Sequence, residues 1–549
     1  MPPRPFNAKR HYHELGELLR PIDVESALLF CNHVLMAWRG DECDPVVRNL
    51  VDEIRLPCSP FFVHLAARQV LLRSLGQSNR RIGTGDFKRL FALLWELLDH
   101  DPAMLDPGWK QSDPTGTLIR YVGLQQNQFP MPLQVFGLTV ALFTQAMPAT
   151  PDEKMDIPAR LQEALEMDPL VFMRAGIVAA AVRGATSGSV KLAGTACTAV
   201  VMAAAAGVVG AGVKESWLRF VELTACTQAG FKEESRQHVA DPRYELYRFN
   251  VLRRRPLIDL GDGRYLAIDR QLVFIRTTLG MYYDLLGSDG EDFTRAFGHR
   301  LANLVGTLAA GACGRERVWS EANLPKAVRD RPPSRNADHA FVGSGPLALI
   351  ECKALTPKLR LLMLGEPTDT DALVERLVDA VRQLTLHAAA IREGKWATLG
   401  LPARESYGVV VTYGEIPTVN GVLFRNRVAK LLSAEGITPL PYIVLAVCQF
   451  DSLIRAVEHG RDFGTAVVAL CENVTKGFPG PLESELSKDA ISAVTRAWGR
   501  SFFDTVPGFE DDADEETTSD GRGADSAPAT RAAKSAAGSE RRARPYATG

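Results

Sequence analysis

The sequence has no surplus of charge of either sign. Lys and Arg number 63 against 65 Asp and Glu in 549 residues, a net charge of −2. A global positive field is thereby excluded, and any contact with nucleic acid has to come from local patches. Nine cysteines are present, without a Cys-x-x-Cys pair or zinc-like spacing. That excludes a disulfide scaffold and points to a reducing compartment, so a cytoplasmic protein is expected. The opening MPPRPFNAKRHYHELGELL lacks the apolar core of a secretion signal. No repeat of fixed period is found, so no named solenoid is supported. Runs rich in Leu, Ile or Phe and long enough to cross a bilayer are also missing. The uncharged stretch LAGTACTAVVMAAAAGVVGAGV (192–213) has the length but is built mostly from Ala and Gly. Larger side chains drive insertion. The stretch reads as a buried helix, or two short ones meeting at a glycine turn; a membrane anchor is the alternative.

What is present is ordinary globular composition, 46% hydrophobic and 23% charged. The length calls for at least two domains. Residues 1–240 show apolar residues at helical spacing in segment after segment, and Asp86 is placed to cap a helix. Residues 241–289 read as a hairpin around Asp262-Gly263 followed by a helix. Arg253, Arg254 and Arg255 there form either a phosphate-facing patch or a solvated strand edge. Residues 290–507 alternate helices with buried strands. Residues 508–549 are acidic, then rich in Ala, Ser, Gly and Arg, and too poor in large apolar residues to order.

The informative stretch is ADHAFVGSGPLALIECKA (337–354). Gly-Ser-Gly-Pro between two apolar runs signals a hairpin. With Ser344 and Gly345 at the tip, Ala340 faces Leu349 and Asp338 faces Glu351. Side chains alternate along a strand, so Asp338, Glu351 and Lys353 share one face. Opposed Cβ atoms lie roughly 4.5–5.5 Å apart, where like charges repel. Two carboxylates there need a reason to stay ionised together, and a divalent cation supplies one. The plain alternative is a strand ending at solvent, with Asp338 a turn residue.

These residues resemble the PD-(D/E)XK nuclease superfamily, of restriction-endonuclease-like fold. GEDFTRAFGHRLANLV (290–305) looks like the family's leading helix, and RVWSEANL (317–324) like its first core strand. DALVERLVDAVRQLTLHAAAI (371–391) resembles its Gln-bearing helix, and SYGVVVTYGEI (406–416) its next strand. Two positions depart. Ala337 stands where the motif's proline would be. Ala302 occupies the position aligned with a glutamate that many members carry in the leading helix. Glu291 and Asp292 lie earlier in that helix as substitutes.

The resemblance implies an α/β restriction-endonuclease-like core, a mixed sheet flanked by helices, in the C-terminal half. A mostly α-helical N-terminal region precedes it. It also implies hydrolysis of phosphodiester bonds with Mg²⁺, or Mn²⁺ as a substitute. Asp338, Glu351 and the backbone carbonyl of Cys352 would hold the metal. Lys353 would serve catalysis, and Gln383 would orient water or the lysine. Lys326, Arg329, Arg331 and Arg335 precede the site and Lys358 follows it, suited to a phosphate backbone. His339 alternates to the other face; His299 and His387 lack the partners of a His-metal site.

The expected function is a DNA endonuclease, DNA before RNA, in the setting of bacterial restriction or antiphage defence. A homo-oligomer or a defence-system partner protein stays open. The alternative is a degenerate nuclease fold that binds nucleic acid or protein without cleaving.

Overall fold

A computed structural model of the chain describes residues 7–41, 43–54, 60–76, 79–100, 115, 132–145, 155–181, 195–197, 212–237, 250–261, 263–324, 337–343, 345–357, 367–397, 404–475 and 491–503. The tail expected to be disordered, 508–549, lies outside the described residues.

Helices fill the first part of the chain. They are α1 (Ala8–Leu19), α2 (Val24–Trp38), α3 (Pro45–Ile54), α4 (Pro60–Arg73) and α5 (Thr84–Asp99). After them come α6 (Pro132–Phe143), α7 (Ile157–Leu165) and α8 (Pro169–Ala181). Local chemistry sets the starts. Asp23 accepts from the Ser26 amide at 2.7 Å and caps α2. Asp86 is not the cap of α5. Gly83 is, and Asp86 sits in the first turn and accepts from the Gly83 amide at 3.2 Å.

The middle of the chain builds a small sheet. Its elements are β1 (Thr195–Cys197), α9 (Val213–Thr224), β2 (Ala225–Thr227), α10 (Gln228–Gln237), β3 (Leu257–Gly261), β4 (Arg264–Ala267) and α11 (Arg270–Thr277). The strand order is β1-β4-β3-β2. The hairpin expected around Asp262-Gly263 is present as β3 and β4, and a helix follows it. The helix expected over 192–213 is not found where the stretch is described. Thr195–Cys197 pairs antiparallel with Arg264–Leu266, because a free strand edge there recruits a third strand. The rest of the stretch up to residue 211 lies outside the described residues, and among the described residues the next helix is the one from Val213. Among the described residues no helix is long and apolar enough to cross a membrane. Arg253, Arg254 and Arg255 do not form one free patch, and of the three only Arg254 is exposed. Arg253 is desolvated enough to lower its pKa. Arg254 and Arg255 pair with Glu234, and Arg255 also donates to the carbonyls of Glu222 and Ala225.

The last part builds the larger sheet: α12 (Met281–Cys313), β5 (Val318–Ser320), β6 (His339–Phe341), β7 (Leu347–Lys353), α13 (Pro367–Arg392), β8 (Ser406–Thr412), α14 (Val422–Ala434), β9 (Tyr442–Ala446), α15 (Val447–Glu458), α16 (Phe463–Thr475) and α17 (Ala493–Phe503). The strand order is β5-β6-β7-β8-β9. β5, β6 and β7 pair antiparallel; β7, β8 and β9 pair parallel, each parallel step made through a helix. Alternation divides the sheet's side chains between two cores. Ala348, Ile350, Cys352, Val409, Val411, Ile443 and Leu445 pack with α12, α15 and α16. Leu347, Leu349, Val410, Tyr442 and Val444 pack with α13 and α14. Strands covered on both faces read as continuous apolar runs, as Tyr407–Val411 and Tyr442–Ala446 do. α12 is broken at Gly290, whose φ of 51° is open to glycine. The segment expected as a leading helix therefore begins at a real break.

Packing does not divide at residues 240 and 290. Phe136, Phe143, Phe172 and Phe220 share one core with Phe297, Ile350 and Phe502. A separate core unites α1–α5 with Ile258, Leu266, Ile268 and Leu272.

One buried polar knot ties that second core to the end of β4. Asp269 is 0% exposed and accepts from His64 Nε2 at 2.7 Å and from Arg39 at 2.7 and 2.8 Å. It also caps α11 through the Gln271 amide. Burial alone would raise its pKa, but His64, Arg39 and that amide pull it down from 3.8 to about 2. Asp269→Ala leaves two buried donors without their acceptor and is expected to cost about 3–5 kcal/mol in urea unfolding at neutral pH. A carboxylate with a lowered pKa stabilises above its unfolded value and loses that contribution as pH falls through the folded one. The gap between parent and variant should close as pH drops from about 4 toward about 2. A gap that stays constant to the acid end would rule out an ionised Asp269.

Candidate functional site

The site is built on the β6–β7 hairpin. His339 pairs with Ile350, Ala340 with Leu349, and Phe341 with Ala348. Continued by one residue, this register sets Asp338 opposite Glu351, as expected from the turn. Arg404 buttresses that turn by donating to the carbonyls of Gly343 and Gly345 at 2.8 and 3.2 Å. Ala340, Leu347 and Leu349 lie in the core beneath α13 and α14. By alternation Asp338, Glu351 and Lys353 share that face. His339 points the other way, and its Nε2 meets the Ala302 carbonyl at 2.8 Å. A Cβ at Gly306 would come within 2.6 Å of the His339 ring, so α12 can approach the strand only with glycine there.

Glu351 is 3% exposed. Its Oε1 accepts from Lys353 Nζ at 2.6 Å, while its Oε2 is buried without a hydrogen-bond partner. Burial raises its pKa from 4.5 to about 8, and the neighbouring Asp338 charge adds to the rise. Lys353 pulls the other way without offsetting them. Asp338 Oδ2 accepts from the Cys352 amide at 2.6 Å, and the Asp338 carbonyl accepts from the Glu321 amide at 2.8 Å. Burial raises the Asp338 pKa as well, against the pull of the Cys352 amide, His339, Lys353 and His299. Cys352 faces the opposite core, and its buried thiol is pushed well above its usual range. Among the described residues no group of three or more His, Cys, Asp or Glu is arranged to hold a metal ion. Any metal would rest on the two carboxylates, a backbone carbonyl and water.

The remaining expected residues divide. Gln383 is half-buried on α13, one turn before His387. Arg329, Arg331, Arg335 and Lys358 lie outside the described residues, as do Lys326 and Ser344. Ala302, aligned with the leading-helix glutamate, sits on α12 and packs against the core on the sheet's other face. Two further residues bear on the site: Glu321, which the sequence did not single out, and His387, which it set aside as lacking the partners of a His-metal site. Glu321, exposed just after β5, adds negative field at Glu351. His387 is buried with its Nδ1 accepting from the Ala337 amide at 3.0 Å. A lone histidine on an apolar helical stripe was the available signal for His387. Comparison with family models, curated proteins and solved structures finds no match.

Glu351 binds its proton more tightly folded than unfolded. Folding then takes up a proton between the ordinary 4.5 and about 8. Stability should fall as pH rises across that window, by a few kcal/mol at most. Glu351→Gln removes this slope. In urea titrations with EDTA, the variant should match the parent at about pH 5 and exceed it at about pH 8. Parallel curves at both pH values would show that Glu351 ionises as freely as in water.

Proposed function

We propose that the chain is a Mg²⁺-dependent phosphodiesterase that cleaves DNA, on a core of the PD-(D/E)XK type. One observation carries the reading. A carboxylate is buried at the end of a central strand with one oxygen on Lys353 and the other unpaired, across a hairpin from a second acid. Buried polar atoms are nearly always partnered, and an orphan is costly to keep. A site that binds a cation accounts for that cost. The sheet supports the reading: three antiparallel strands lead into two parallel ones, with helices on both faces.

The donor set fits a hard cation. Asp338, Glu351 and the Cys352 carbonyl offer the oxygen ligands that Mg²⁺ or Mn²⁺ takes. Bound there, the metal would supply Lewis-acid charge to the scissile phosphate. Lys353 projects from the same face, and its ammonium would donate to oxygens where negative charge grows in the transition state. Gln383, on the helix above, would orient the attacking water or the lysine. Arg329, Arg331, Arg335 and Lys358 would hold the phosphate backbone without reading sequence.

A second reading keeps the fold without the chemistry. Asp338 Oδ2 already binds the Cys352 amide, and Lys353 closes on Glu351. That arrangement also suits a degenerate nuclease fold that binds nucleic acid or protein.

The discriminating experiment incubates the purified full chain with plasmid, linear DNA and RNA, in Mg²⁺, Mn²⁺ or EDTA. Metal-dependent cleavage is expected. Lys353→Ala should lower kcat by about a hundred- to a thousandfold while DNA binding stays close to the parent's. Unchanged cleavage in that variant would remove Lys353 from the mechanism. Metal binding without cleavage of any substrate would put the second reading first.

A further inference from the structure

Helix α13 lays an apolar stripe on the sheet: Leu377, Ala380, Val381, Leu384, Ala388 and Ile391 are all buried. His387 interrupts that stripe at 2% exposure. Its ring stands edge-on to the buried Trp396, with centroids 5.7 Å apart, which fixes its orientation. Its Nδ1 accepts from the Ala337 amide at 3.0 Å. An amide can only donate, so Nδ1 carries no proton and the ring is neutral, with its proton on Nε2. Burial agrees, lowering the histidine's pKa from 6.5 to about 4.

Ala337 is 0% exposed and immediately precedes Asp338. Its amide therefore needs an acceptor inside the protein. The next groups along the chain are also held. The Asp338 carbonyl takes the Glu321 amide, and the Asp338 carboxylate takes the Cys352 amide. The backbone leading into β6 is thus pinned from the helix, from the edge strand and from the partner strand. Only the first of these pins comes from a side chain on another element.

We propose that His387 is the positioning residue of this site: its Nδ1 anchors the backbone at Ala337 and thereby sets where Asp338 presents its carboxylate beside Glu351 and Lys353. The proposal rests on the reading of those three residues as a metal site. His387 touches no reacting atom and does no chemistry itself. Its role requires an acceptor at one point in space, which an apolar side chain of similar bulk cannot supply. Ligand-orienting partners of this kind typically change metal affinity by about ten- to a hundredfold when lost.

Three variants of the full chain separate anchoring from space-filling. His387→Leu fills the core but offers no acceptor. His387→Asn carries an acceptor oxygen at the branching distance of Nδ1. His387→Gln carries one farther out, where Nε2 stood. Two readouts are taken, neither of them cleavage. The first is hydrogen exchange of the fragment covering 337–343. The second is affinity for Mn²⁺ alone, by calorimetry. The leucine and glutamine variants should exchange faster over 337–343 and bind Mn²⁺ about tenfold more weakly or worse, while the asparagine variant stays near the parent. Exchange unchanged in His387→Leu would overturn the anchor. Faster exchange with undiminished Mn²⁺ affinity would overturn the positioning role and leave a structural contact. A parent chain that binds no Mn²⁺ sinks the metal-site reading instead, and the exchange result then decides the anchor by itself.

Discussion

The register between β6 and β7 is the constraint on which the site depends. Ala340 sits opposite Leu349, and every side chain on the two strands takes its face from that pairing. A slip of one residue would send Asp338 and Glu351 to opposite faces. It would also move Leu347 and Leu349 out of the core beneath α13, and Ala348 and Ile350 out of the core beneath α12. Both faces of β7 are buried, so neither error is tolerated. The acids are thus held together by the apolar residues beside them, not by attraction between themselves. Their own interaction is repulsive: burial raises the pKa of Glu351 and the Asp338 charge adds to the rise.

The surroundings reinforce that register at three points. Arg404 grips the turn through two carbonyls. His387 holds Ala337, and Glu321 holds the Asp338 carbonyl. β6 itself is only three residues long. Such a short strand has few ladder bonds of its own, so side-chain and backbone partners from other elements have to place its ends. Asp338 shows the consequence. Where the ladder stops, its carboxylate takes over the Cys352 amide.

Much of this was legible in the sequence, for a local reason. A Gly-Ser-Gly-Pro turn between two apolar runs leaves few registers, and the alternation rule then places Asp338, Glu351 and Lys353 on one face. The helix over 371–391 and the buried strand from Ser406 were equally local, written in apolar period. What stayed hidden depends on distant partners. Thr195–Cys197 joins a sheet only because β4, nearly seventy residues on, presents an edge. Arg254 and Arg255 read as part of a phosphate-facing patch or a solvated strand edge because Glu234 and the Glu222 carbonyl are close only in the fold. Helices α6 to α9 share a core with α12, where Phe143 and Phe297 meet in space, not in sequence. No periodicity announces that a histidine on an apolar stripe will face the amide of Ala337.

Three buried carboxylates among the described residues show why Glu351 stands apart. Asp269 has a histidine, an arginine and an amide around its two oxygens, and its pKa falls to about 2. It is ionised and fully occupied, the condition of a structural acid. Asp451 has only neutral donors, Gln134, Thr495 and the Ser492 amide, and burial keeps its pKa raised. It too is occupied, so its burial needs no further explanation. Glu351 has a lysine on one oxygen, nothing on the other, and a second acid across the hairpin. Packing could have closed that gap, as it did at the other two. The chain satisfies both oxygens of Asp269 and Asp451 yet leaves one oxygen of Glu351 open beside another carboxylate, and that contrast is what the proposed cation site rests on.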